Sequence, residues 1–164
     1  MSLGGTSWTD IGAAPYKWNA CLRARVSEGL VSVTVTPSTI AYGTVALGTT
    51  KDTITLGQLL TVTNNGTVAE NFKIKSSNAT RSGGTTWTLA ATVGNNIFTH
   101  KYSKTRPTPT WLGMDVADTY YDLATNVAPN GTQTFDLQIG MPTSTTDYWE
   151  HTIIITILAV ASGG

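Results

Sequence analysis

Residues 59–75 read LLTVTNNGTVAENFKIK, and their pattern decides the fold class. Leu60 and Val62 alternate with Thr61 and Thr63, and further on Phe72 and Ile74 alternate with Lys73 and Lys75. Successive side chains of a strand point to opposite faces, so a period of two marks strands with one apolar and one polar face. Between the two runs stands Asn64-Asn65-Gly66, the strongest turn signal in the chain. Asn and Gly tolerate the positive φ angles that a tight reversal requires. The expectation is a hairpin. One arm covers residues 53–63, whole or bent at Gly57, and the other covers residues 68–75, with Phe72 and Ile74 inward.

Alternation continues in both directions. Trp18, Ala20, Leu22, Ala24 and Val26 share one face of a candidate strand, with Lys17, Asn19, Cys21, Arg23 and Arg25 on the other. Val33 and Val35 lie in a strand that Pro37 stops, since proline has no amide hydrogen for a ladder. Residues 86–91, 97–103 and 132–139 read as further strands, the last with Phe135, Leu137 and Ile139 on one face. Pro129-Asn130-Gly131 is a second turn. Residues 104–128 are the least regular region. The final strand is expected over residues 149–160. Its run IIITILAVA is half the ~20 residues of a membrane helix and rich in β-branched side chains, so it reads as a doubly buried strand. No helical period is sustained. Eight or nine short strands with frequent turns imply an all-β, antiparallel sandwich. Residues 1–29 form an N-terminal arm and residues 30–164 the sandwich. The expected core is Val33, Val35, Leu60, Val62, Phe72, Ile74, Phe135, Leu137, Ile139, Ile155 and Ile157.

The stretch VSVTVTPSTIAYGTVALGTT from Val31, followed by LLTVTNNGTVAENFKIKSSNA, resembles the immunoglobulin-like β-sandwich of bacterial and archaeal surface, filament and phage virion proteins. Pro37, Gly43, Val45, Gly48, Val62, Asn64, Asn65 and Gly66 carry the resemblance. LATNVAPNGTQTFDLQIGMPTST is similar to the closing part of such a domain. The resemblance implies an immunoglobulin-like fold and no particular activity, because such sandwiches serve adhesion, scaffolding and spacing alike.

Composition narrows the function. Ten Lys+Arg balance ten Asp+Glu, and only 12% of the 164 residues are charged, about half the usual ~25%. Threonine occurs 31 times and serine 11 times. Apolar residues at 40% suffice for one core, so the chain is not a disordered polyelectrolyte. A zero net charge excludes a nucleic-acid binder that relies on attraction to phosphates. Cys21 is the only cysteine, so there is no intrachain disulfide. The opening MSLGGTSWTDIGAAPYKW has no basic start and no long apolar run, and with Met1 present it does not read as a signal peptide.

The search for chemistry finds no catalytic constellation and no cofactor motif. Asp115, Asp118 and Asp122 are the only acidic cluster, and their spacing matches no calcium loop. His100 and His151 are too few for a zinc site. His100 sits in the basic stretch THKYSKTR with Lys101, Lys104 and Arg106 and is expected at a solvated strand end. No phosphate-cradling loop occurs. Among Trp8, Trp18, Trp87, Trp111 and Trp149, the irregular settings of Trp8 and Trp111 suggest exposure. Asn-x-Thr sequons at Asn65, Asn78 and Asn130 match chance in a chain this rich in threonine.

The reading is therefore a non-enzymatic structural subunit of a large assembly. Low charge means weak repulsion between packed copies. Met1 favours a phage virion protein of the head-decoration or tail type. The alternative is a subunit of a secreted filament, pilus or surface layer that uses the N-terminal strand for strand addition. A carbohydrate-binding or adhesive module is the second alternative. The expected partners are copies of itself and other structural proteins, in a virion or at the cell surface, with no metal, cofactor, nucleic acid or membrane span. The arm's apolar side chains are worth ~1.5–3 kcal/mol each when fully buried, so the arm should dock as an edge strand, in its own sandwich or a neighbour's. The candidate assembly interface is Trp8, Trp18, Leu22, Arg23, Arg25, Val26 and Trp111.

Overall fold

The computed structural model describes residues 29–163. They form ten strands in two sheets, with no helix among the described residues. In chain order the strands are β1 (Val33–Thr36), β2 (Thr50–Asp52), β3 (Leu60–Asn64), β4 (Glu70–Ser76), β5 (Thr88–Leu89), β6 (Ile97–Ser103), β7 (Leu112–Gly113), β8 (Tyr121–Val127), β9 (Thr132–Gly140) and β10 (Ile155–Ala161). The larger sheet runs β1-β3-β9-β6-β5, with β2 beside β9 and β7 beside β6. The smaller runs β10-β4-β8. Pairing is antiparallel except for β5 with β6, which is parallel. Leu60, Val62, Phe135, Leu137 and Ile139 from the larger sheet share one core with Phe72, Ile74 and Leu123 from the smaller.

The alternation of residues 60–64 and 70–76 holds, but the expected hairpin does not. β3 and β4 belong to different sheets, so Asn64-Asn65-Gly66 is a corner between layers. None of its residues has a positive φ. Asn64 explains the geometry. It shares the inward face of Leu60 and Val62, is fully buried, and must bond every polar atom. Its Nδ2 donates to the Val68 and Val127 carbonyls, both at 2.8 Å, and its Oδ1 accepts from the Gly66 amide at 2.8 Å. Its backbone amide donates to Gly131 O at 3.0 Å, and its carbonyl accepts from the Asn130 amide at 2.9 Å. One side chain thus ties the β3–β4 corner to the β8–β9 corner, where Asn130 takes the left-handed φ of 63°. Gly66 is required by crowding, since a Cβ there would collide with Leu30 O and Glu70 Oε1.

Three strand expectations are corrected. Residues 53–57 form a turn, with Gly57 at φ 66°, so β2 ends at Asp52 and β3 starts at Leu60. The irregular region conceals β8, a full partner of β4. Its register shifts between Glu70 and Lys73, and a bulge of this kind breaks the period of two. The last strand spans Ile155–Ala161, and it is an edge, paired only with β4 among the described residues. Leu158 and Val160 are exposed on its outer face, while Ile155 and Ile157 are half-buried on its inner face. A run apolar on both faces usually signals double burial, and here neither face is fully covered. Val33 and Val35, expected in the core, are half-buried for the same reason: β1 is the edge strand of the larger sheet on that side.

Candidate functional site

β1 pairs only with β3, and β10 pairs only with β4, among the described residues. These two edges approach each other. A cleft of about 930 Å³ opens there between the sheets. Its floor is the inner face of the larger sheet, with Leu60, Phe135, Leu137 and Ile139. Ile153, Ile155 and Ile157 form one wall, and Val35, Ile40 and Tyr42 form the other. The rim carries Tyr148, Trp149 and Ile154, which are 77%, 73% and 63% exposed.

Two buried polar atoms of the cleft-lining residues have no hydrogen-bond partner among the described residues, Tyr42 Oη and His100 Nε2. His100 corrects the expectation of a solvated strand end. Phe98, His100 and Tyr102 alternate inward on β6, and His100 lies opposite Ile139 in the ladder. Its Nδ1 is 2.8 Å from Ser76 Oγ across the core. Burial penalises the imidazolium and lowers the His100 pKa to about 4. Arg106 of that basic stretch is also less free than it reads. Arg106 binds both carboxylate oxygens of buried Asp136, at 2.8 and 3.1 Å. Thr53 Oγ1 donates to the same carboxylate at 2.8 Å.

One end of the cleft is closed by a tight polar cluster. The Trp87 ring stacks on His151 with centroids 3.9 Å apart, and its Nε1 donates to Thr145 Oγ1 at 3.1 Å. The His151 ring nitrogens each lie 2.8 Å from a carbonyl oxygen, of Trp149 and of Thr85. Asp147 accepts from Arg81 Nε at 2.7 Å and from the Thr85 amide at 2.8 Å. The Arg81 guanidinium is the main cause holding the Asp147 carboxyl down to about 2. The Asp147 carboxylate and both His151 ring nitrogens have structural partners, and the cluster fixes the loop that carries Tyr148 and Trp149.

Of the residues singled out in the sequence, Trp111 is described and is half-buried. Trp8, Trp18, Leu22, Arg23, Arg25 and Val26 lie outside the described residues. Asp118 and Asp122 do not converge with Asp115. They pair with Lys75 at 3.1 Å and Lys73 at 3.0 Å across the outer face of the smaller sheet. No cluster of three or more metal-ligating side chains occurs among the described residues. The rim was missed because Trp149 was assigned to a strand. The signal that pointed to it was the final run itself, apolar on both faces at the end of the chain.

No protein-family model matches the chain, and no curated protein does.

Proposed function

We propose that this protein is a non-enzymatic structural subunit that assembles with copies of itself, built on an immunoglobulin-like sandwich left one strand short. The observation that carries the reading is the cleft between β1 and β10. An unpaired strand edge is a template for pairing with another chain, and proteins that stay monomeric cover such edges or charge them. Residues 153–161 carry no charge, and among the described residues no strand pairs with the free edge of β10. Its outer face and the rim expose Leu158, Val160, Ile154 and Trp149. A strand supplied from outside completes the smaller sheet and covers the apolar floor, which is the strand-addition mode of recognition.

Contact between an edge on one copy and a different segment on the next is head-to-tail. Such contacts close into rings or extend into filaments, and this fits a filament or tail subunit better than a head-decoration protein. Carbohydrate binding draws less support. Of the described tryptophans only Trp149 is exposed, so there is no row of rings for sugars. Electron microscopy of the full chain across a concentration series tests the proposal. Regular filaments or rings are expected. A monodisperse monomer at every concentration in analytical ultracentrifugation overturns it.

A further inference from the structure

We infer that His151 is held in the fold as an imidazolium, and that its second proton latches the loop carrying Tyr148 and Trp149. Both ring nitrogens face acceptors. Nδ1 lies 2.8 Å from Trp149 O, and Nε2 lies 2.8 Å from Thr85 O. A carbonyl oxygen has no proton to give. A neutral imidazole has one N–H and one lone pair, so it satisfies one of these contacts and sets a lone pair against the other oxygen. The imidazolium donates to both, and 2.8 Å is the length of a charge-assisted hydrogen bond.

The surroundings select the same form. The Trp87 ring lies against the His151 ring, with centroids 3.9 Å apart and planes 20° apart, and an indole face attracts a cation. Asp147 Oδ2 stands 3.7 Å from Nε2, and both side chains are almost fully buried. Arg81 shares that carboxylate through Nε at 2.7 Å. It is 29% exposed, so water screens its repulsion of the imidazolium. Glu150, next to His151 in the chain, is exposed to water.

The two contacts join different parts of the fold. The bond to Trp149 O stays within the loop between β9 and β10. The bond to Thr85 O reaches the connection between β4 and β5. Loss of the second proton removes one of them and leaves a buried carbonyl facing a lone pair, which costs more than a bond exchanged with water. Phe72, Phe98 and Phe135 lie in the core between the sheets, so the strands keep their own support. Residues 148–154 are the part released.

Nuclear magnetic resonance of the full chain, labelled with ¹⁵N at histidine, tests this. His151→Gln assigns the ring signals. At about pH 7.5, where a histidine free in water is mostly neutral, both His151 nitrogens are expected to carry protons. A ring with one N–H and one bare nitrogen at that pH overturns the inference. As the pH is raised further, the second proton leaves. Amide protection of residues 148–154, corrected for the intrinsic pH dependence of exchange, is expected to fall by about tenfold or more with the same midpoint, while β3, β4 and β9 keep theirs. His151→Gln is expected to show no such step. Unchanged protection in the loop overturns the latch, and so does the same step in the variant. A ring that keeps both protons until the sheets themselves unfold also overturns it.

Discussion

Asn64 and His100 show how one buried polar side chain sets local geometry. Asn64 replaces a hairpin by a corner because its amide satisfies carbonyls on two separate connections. Asn64→Ala leaves Val68 O, Val127 O and the Gly66 amide without that partner. The loss should be about 3 kcal/mol of unfolding free energy, read as a lower urea midpoint with an unchanged slope. His100 is buried as the neutral base, with its pKa lowered to about 4. Unfolding releases it to titrate near ~6.5. Between those values the unfolded chain binds the extra proton, so stability falls as pH drops from about 6.5 to about 4 and is level with respect to this group outside that window. His100→Gln should flatten this slope in denaturant titrations from pH 7 to pH 4. An identical slope in the variant would assign the effect elsewhere. Asp147 acts in a lower window. Its carboxyl is held near 2, so its contribution is complete above its unfolded value and disappears as pH falls from about 4 to about 2.

At the scale of elements, the expected alternation holds in β3, β4 and β9. Residues 60–63, 70–75 and 132–139 place Leu60, Val62, Phe72, Ile74, Phe135, Leu137 and Ile139 in the core as their period requires. The misreadings have physical causes. The bulge between β4 and β8 hides β8 from any test of period two. Residues 149–154, expected to open the last strand, continue a loop fixed by the polar cluster around Trp87, His151 and Asp147. The difference between a closed core and an open cleft is measurable. Phe72→Ala or Phe135→Ala should destabilise the fold by ~3–5 kcal/mol, because both rings are fully enclosed. Ile157→Ala should reduce monomer stability by only about 1 kcal/mol, since its side chain is half in water already. Equal thermal shifts for Phe72→Ala and Ile157→Ala would mean that β10 is as enclosed as β4.

For the whole molecule, removal of residues 1–28 tests the proposed assembly. A chain beginning at Gly29 retains both sheets and all of the core described above. It should unfold cooperatively and fail to polymerise under conditions where the full chain does. Polymerisation of the truncated chain, followed by electron microscopy, would place the contact outside the arm. By itself the amino-acid sequence determined that the described residues are all-β and which residues of β3, β4 and β9 face the core. These follow from local periodicity, which needs only the two-sided geometry of a strand. Only the tertiary structure decided which strands share a sheet, that two Asn-containing turns are corners, that His100 is buried, and that β1 and β10 end as neighbouring open edges. Those outcomes depend on pairings between residues far apart in the chain. Asn64 with Val127 and Ile157 with Ile74 are examples, and no local pattern encodes such partners.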